Sequence, residues 1–227
     1  LLTALGHRLI PVFPALCALT VPKKQLQGLK GQRVRAKLWL ESAQGKPLHE
    51  ARGEALFADD AVSGIAAMQL ARFAQAGTTL CLDLSDELNL PDGILPFIRS
   101  LADARKNLPA AELLTGALAA PVSRLILREA GIHDLSVRIS ALHADHLLAV
   151  AKTVSCVRLR VLGTRGFDSA QVTAGGIETK EFDPATMESR LVPGLYAAGE
   201  ILNVDGDCGG FNLMFAFASG LIAGTSA

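Results

Sequence analysis

Gly194-Leu-Tyr-Ala-Ala-Gly-Glu-Ile-Leu-Asn-Val-Asp-Gly-Asp-Cys-Gly-Gly-Phe-Asn-Leu-Met-Phe-Ala-Phe-Ala-Ser-Gly-Leu-Ile-Ala-Gly224 decides how this chain is read. Leu195 to Ala198 form a short apolar run stopped by Gly199, which predicts a buried strand. Glu200 follows at the carboxyl end of that strand, where open α/β sheets bind ligands. Gly209-Gly210 then opens an apolar segment with the length of a helix. A Gly pair before a helix exposes bare backbone, and the first helical N–H groups have no partner within the helix. The helix dipole adds partial positive charge there, so the turn favours an anion or an electron-rich carbonyl.

A carboxylate next to a positive helix end suits a ligand that carries both hydroxyls and developing negative charge. A flavin has both, in its ribityl chain and its N1–C2=O2 edge. The competing reading is a buried strand–turn–helix whose glycines serve tight packing alone.

Residues further upstream carry a resemblance. Val172-Thr-Ala-Gly-Gly-Ile-Glu-Thr-Lys-Glu-Phe-Asp-Pro-Ala-Thr-Met-Glu-Ser-Arg-Leu-Val-Pro-Gly-Leu-Tyr-Ala-Ala-Gly-Glu200 and Asp205-Gly-Asp-Cys-Gly-Gly-Phe-Asn212 resemble the carboxyl-terminal signature of the BaiN-like, aminoacetone-oxidase-like FAD flavoproteins. Gly163-Thr-Arg-Gly-Phe167, Leu5-Gly-His7 and Pro14-Ala-Leu16 extend the match over essentially the whole chain.

The resemblance implies an α+β or α/β chain: part of a Rossmann-like FAD-binding domain carrying an inserted β-barrel-like unit and a helical unit. Residues 1–15 are expected to end the first FAD-domain segment. Residues 16–84 would form the barrel-like insert, 85–154 the helical insert, and 155–227 the return to the FAD-binding domain. It also implies roles. Glu200, after Gly199, would hold ribityl or pyrophosphate oxygens, with Asp205 in the same acidic loop. Gly209, Gly210, Phe211 and Asn212 would present N–H groups to the N1/O2 edge, and Ala174, Gly175 and Gly176 would line the ring. Arg165 has two readings, an anionic substrate group or a structural ion pair. The cofactor expected is FAD, with NAD(P)H a possible electron donor and a small molecule as substrate; no general base or nucleophile declares itself.

Two departures from the family pattern stand out. Relatives carry a Thr-His-x-Gly-Ile-Ser-Gly pattern where this chain has Ala58-Asp-Asp-Ala-Val-Ser-Gly64. The G-x-G-x-x-G fingerprint that seats a pyrophosphate is missing from these residues. Leu1 opens inside what reads as a helix end, so the chain is expected to lack an amino-terminal FAD-domain segment. The reading is therefore a fragment of an FAD-dependent oxidoreductase. Its alternative is a truncated, non-catalytic protein that no longer binds FAD and keeps only an interaction surface.

Bulk properties agree with a folded chain. Half of the 227 residues are hydrophobic and 19% are charged, which excludes a disordered polymer. Lys plus Arg equals Asp plus Glu at 22 each, so no global field points to nucleic acid or an anionic membrane. The apolar run from Phe211 to Gly224 is too short to span a bilayer. Cys17, Cys81, Cys156 and Cys208 stand far apart, which suggests a reducing compartment and a cytoplasmic protein. Cys208, before the Gly pair, reads either as a redox thiol or as a small packing residue.

Periodicity places the remaining elements. Arg33 to Glu41 alternates, with Val34, Ala36, Leu38 and Leu40 on one face. A turn at Ser42–Lys46 returns as a strand to Phe57, with Gly53 as a candidate bulge. Ser63 to Ala76 predicts a helix burying Ile65, Met68, Leu70 and Phe73. His143 and His146 have metal-compatible spacing but no converging third ligand. Cys156 to Leu162 predicts a strand re-entering a sheet. Met187, in a polar excursion, reads as a packing residue.

Overall fold

The computed structural model describes residues 1–88 and 90–227. Its strands form two sheets. In the smaller, β1 (Leu9–Ala15) runs antiparallel to β9 (Val172–Ile177), so distant parts of the chain meet in one ladder. The register shifts between Ile10 and Phe13, where Pro11 has no N–H to donate. Leu2–Leu5 precede β1 as a 3-10 turn closed by Gly6 at φ 95°, a left-handed stop that glycine adopts readily.

The larger sheet contains β2 (Leu19–Thr20), β3 (Arg33–Glu41), β4 (Pro47–Phe57), β5 (Ala61–Ser63), β6 (Thr79–Asp83), β7 (Val157–Arg160) and β8 (Gly163–Thr164). Their order is β7-β6-β3-β4-β5-β2-β8, antiparallel throughout. One continuous segment joins its two edges. Val161 N–H donates to Thr78 O at 2.9 Å, beside β6, while Leu162 N–H donates to Thr20 O at 2.8 Å in β2. This closure gives the sheet its barrel-like form. It also corrects the expected boundary at residue 155: β7 and β8 belong to this sheet, and the chain changes sheets between Thr164 and Val172.

β3 buries Ala36, Leu38 and Leu40 as its alternation predicts. β4 pairs with it without interruption at Gly53, and the irregularity falls between Leu40 and Glu41 instead. The helix predicted over 63–76 is shorter, α1 (Ile65–Leu70) followed by a 3-10 turn at Ala71–Phe73. Its buried residues are Ala66, Ala67, Leu70 and Ala71, whereas Ile65 is exposed. The cause is close approach. A Cβ on Gly53 would stand 3.7 Å from Ala66 Cβ, and one on Gly64 would overlap the Glu54 carbonyl. At that spacing Ala66 fits against the sheet, Leu70 is buried beyond it, and Ile65 turns outward.

The expected helical unit contains α2 (Ile94–Ala104), α3 (Ala120–Glu129) and α4 (Ala144–Ser155). Pro121 sits in the first turn of α3, and Gly131 follows its end at φ 86°. Ile98, Ile126, Val150 and Val154 share one hydrophobic core with Leu38, Leu80 and Leu82 of the barrel. Sheet and helices are thus a single packed body. The chain ends in α5 (Phe211–Ser226), sixteen residues long. Leu213, Met214, Phe217 and Leu221 are exposed and Ser219 is its one buried residue. A helix apolar on every side is a helix suited to burial on every side. No helix among the described residues is long and apolar enough to cross a membrane.

Candidate functional site

Leu195 to Ala198 do not form a regular strand. The segment is held by a single antiparallel bridge, Glu188 with Tyr196. A strand exists only through its neighbours, and among the described residues no second neighbour pairs with it. The segment nonetheless delivers a 3-10 turn, Gly199–Ile201, onto α5. Gly199 takes φ 69°, and its N–H donates to Ser219 Oγ at 2.9 Å. That hydroxyl donates in turn to Phe215 O at 2.6 Å. A Cβ at Gly199 would stand 3.3 Å from Ala216 Cβ, so the glycine sets how closely turn and helix approach.

Glu200 is exposed, and its Oε1 accepts from the Thr173 N–H of β9. Among the described residues its second oxygen is uncommitted. The side chain borders a cavity of about 360 Å³ lined by Leu1, Leu2, Leu9, Val12, Gly176 and Ile201. An acid at the mouth of an apolar cleft is suited to hydroxyls on an otherwise flat or apolar ligand.

The loop after this turn is tied down at both ends. Asn212 accepts from Gly206 N–H at 2.8 Å and donates to Gly206 O at 3.0 Å, locking the loop over the start of α5. Asp205 is nearly buried and pairs with Arg72 at 2.7 Å. Burial pushes its carboxyl above the usual range; Arg72 opposes that shift and Asp207 adds to it. The acidic loop is therefore anchored on the turn that follows α1.

Gly209 and Gly210 are exposed, with φ of 133° and 91°. A Cβ on Gly210 would meet nothing within 4 Å. No side chain caps α5, and Met214 N–H to Gly210 O at 2.9 Å is the first bond of its ladder. Among the described residues the amides of Phe211, Asn212 and Leu213 are the donors that the ladder of this helix leaves without an acceptor, and the Phe211 ring lies 3.4 Å from where a Cβ on Gly209 would stand. Ala174, Gly175 and Gly176 are placed differently: all three are buried. A Cβ on Gly175 would lie 2.8 Å from Pro11 C and 2.9 Å from Val12 Cα; one on Gly176 would lie 2.8 Å from Ile201 O. Their lack of a side chain is taken up by protein backbone.

Arg165 forms an ion pair with Asp60, in the loop between β4 and β5. Of its two readings the structure displays the ionic one. Asp59 pairs likewise with Lys30 at 2.6 Å. His143 and His146 start α4, where His143 N–H donates to His146 Nδ1 at 3.2 Å. Among the described residues no three metal-binding side chains converge. Cys208 packs against the cluster of Ala15, Leu16, Val172 and Ala174. Met187 is buried with Leu2, Ile177 and Phe182 at φ 62°, a packing residue as expected.

One polar hub escapes sequence reasoning. His7, only 3% exposed, bonds Glu181 Oε2 through Nδ1 at 2.8 Å and Ser189 Oγ through Nε2 at 3.0 Å. It also stacks on Phe182 at 4.8 Å. His7 is more than 170 residues from Glu181 and Ser189, so no local spacing could announce the cluster. Their effect is to tie the chain entering β1 to the excursion that precedes residues 195–198.

The HI0933-like protein Rossmann domain matches residues 1–226. The chain belongs to this family. Within the HI0933-like family it is 34% identical to a 3-dehydro-bile acid delta(4,6)-reductase of Clostridium scindens, over 99% of this chain and 56% of that protein. It is 29% identical to a ribosomal RNA dihydrouridine synthase of Escherichia coli, over 94% of this chain and 52% of the relative. A dihydrouridine synthase of Haemophilus influenzae is 49% identical over 57 residues, 25% of this chain and 14% of that protein. The HI0933-like chain thus spans about half the length of the curated relatives it matches. It is a partial Rossmann-like domain carrying a closed, barrel-like antiparallel sheet and a helical layer.

Proposed function

We propose that this chain is the carboxyl-terminal part of an FAD-dependent oxidoreductase that saturates a ring C=C bond conjugated to a carbonyl. The observation that carries the reading is the uncapped start of α5, where Gly210 is exposed and an added Cβ would meet nothing within 4 Å. The two relatives support the substrate class. A Δ4,6 bond beside a 3-oxo group and the 5,6 bond of uracil are both alkenes polarised by a carbonyl.

The residues present fit the flavin's pyrimidine edge and sugar-like tail. Bare backbone and a positive helix end match an edge that gains negative charge, and the uncommitted Glu200 oxygen matches a hydroxyl donor. When bound, FAD would supply hydride transfer. The protein's contribution is to stabilise charge through the 211–213 amides and to hold the tail through Glu200. Gly175 and Gly176 let β1, β9 and the 201–203 segment close up behind that site. Asp205, engaged by Arg72, positions the loop.

The pyrophosphate cradle would come from another segment of the protein. The exposed faces of Leu213, Met214, Phe217 and Leu221, and the missing second neighbour of residues 195–198, are what such a segment would cover. NAD(P)H is the proposed electron donor, and the partner set is a small molecule or a nucleobase.

The test is to express the complete gene and look for flavin absorbance. The flavin is then reduced anaerobically and offered a Δ4-3-ketosteroid, uridine-containing RNA, or oxygen. Reoxidation by one of the two alkenes is the expected result. A colourless protein, or a flavin reoxidised by oxygen alone, would overturn the proposal.

A further inference from the structure

Arg72 and Asp205 join two parts of the chain that have separate cores. Arg72 stands in the 3-10 turn Ala71–Phe73, whose preceding helix buries Ala66, Ala67 and Leu70 in the core of the barrel-like sheet. Asp205 stands in the loop between the turn Gly199–Ile201 and α5. Arg72 Nη1 meets Asp205 Oδ2 at 2.7 Å. The two side chains are unequal in exposure, 6% for Asp205 and 38% for Arg72. The carboxylate has therefore given up most of its water and relies on a countercharge, because a buried anion without one is strongly disfavoured. Among the described residues the charged groups facing Asp205 are Arg72 across the junction and Asp207 within its own loop. Of these, Arg72 alone is a cation.

The guanidinium is held in place from its own side. It lies over the Phe73 ring, 5.2 Å from the centroid, and His49 of β4 stacks on that same ring. On the other side, Gly206 follows Asp205 directly and is clamped to the start of α5 by both bonds of the Asn212 side chain. The ion pair is thus one residue from the clamp over the helix start. That helix end carries about half a positive charge. A bare carboxylate here would cancel much of its field, whereas a pair of opposite charges leaves the field in force. Burial pushes the Asp205 carboxyl up, Arg72 pulls it down and Asp207 pushes it up again, so the charge balance of the loop depends on Arg72.

We propose that Arg72 is a positioning residue that acts on the flavin through Asp205: by neutralising that carboxylate it lets the barrel-like unit keep the start of α5 electropositive, which raises the cofactor's preference for its reduced form. The proposal rests on the flavin reading above. An edge that gains negative charge on reduction is stabilised by a positive environment and opposed by a nearby anion.

The test uses protein from the complete gene and reads the two-electron midpoint potential of its bound flavin by equilibration with reference dyes, in acid and in mild alkali. Arg72→Ala should lower the ratio of reduced to oxidised cofactor about tenfold at a fixed applied potential, equivalent to about 30 mV. That deficit should appear above the Asp205 titration and close in acid, where the carboxyl takes a proton and no charge is left to balance. Asp205→Asn, close to the native side chain in shape, leaves Arg72 unopposed and should shift the potential upward. The double variant Arg72→Ala/Asp205→Asn should return to the wild-type potential although the ion pair is gone, and Arg72→Lys should retain that potential. A merely structural anchor would behave otherwise: both single variants would move the potential the same way, and the double variant would not recover it. Same-direction shifts, a pH-independent deficit in Arg72→Ala, or an unchanged potential there would overturn the proposal with the flavin reading intact. A colourless complete protein would overturn the flavin reading and this proposal together. Asp205→Asn and Arg72→Lys keep the test decisive if Arg72→Ala folds poorly.

Discussion

Two glycines with nearly the same φ should respond in opposite ways to a single methyl group. Gly175 and Gly210 have φ of 87° and 91°, so alanine at either pays about 1–2 kcal/mol for a left-handed conformation. They differ in what the new Cβ meets. At Gly210 it meets nothing within 4 Å; at Gly175 it overlaps the Pro11 carbonyl and lies 2.9 Å from Val12 Cα. Those atoms are backbone of β1, tied to β9 by the ladder, and cannot swing aside as a flexible side chain would. Overpacking of that kind adds about 1–3 kcal/mol. Gly175→Ala should therefore lose about 2–5 kcal/mol in all, and Gly210→Ala about 1–2. Urea denaturation, compared through midpoints at constant slope, reads the difference. FAD titration of the same two proteins should invert the order. Gly210→Ala places its methyl in the open approach to the α5 amides, and a loss of about tenfold in affinity is expected, equivalent to about 1.4 kcal/mol. Equal destabilisation by the two changes would refute the packing argument. Unchanged FAD affinity in Gly210→Ala would refute the ligand argument.

Three further outcomes follow from named contacts. Ser219→Ala removes the acceptor of the Gly199 N–H and should cost about 1–3 kcal/mol in the same denaturation assay, since the amide is left buried without a partner. The Asp205 carboxyl is raised by burial, so its contribution is full below the ordinary carboxylate range and is lost as pH rises through its folded value. Arg72→Ala should raise that value further and steepen the loss of stability from acid to neutral pH. Glu41 has the opposite sign: hydrogen bonds from Arg158 and Trp39 lower its pKa, so its contribution is present at neutral pH and lost as pH falls through the folded value. Glu41→Gln should be less stable at neutral pH, with a gap that narrows in acid.

What could be read from the sequence was what local pattern controls. The alternation of Arg33 to Glu41 and the break at Gly209–Gly210 both act within a few residues, and the structure has them where the pattern predicts. The inner face of α1 was not readable. Whether a helix buries Ile65 or Ala66 depends on how near the sheet lies, and that distance is set by Gly53 and Gly64. The strand at Leu195–Ala198 was inferred from hydrophobicity, yet a ladder needs partners that an apolar run cannot supply. At the candidate site the resemblance marked Glu200 and the glycines together. Only the packing distinguishes Gly210, which faces open space, from Gly175 and Gly176, which face backbone. His7 with Glu181 and Ser189 is joined by topology alone.

The central claim is that the free amides at the start of α5 receive the flavin. Hydrogen–deuterium exchange at Gly209 to Leu213, measured on protein from the complete gene with and without FAD, tests it most directly. The account predicts that FAD slows exchange at the amides of Phe211, Asn212 and Leu213 while α3 and α4 are unchanged. Bound FAD with undiminished exchange at those three amides would contradict it.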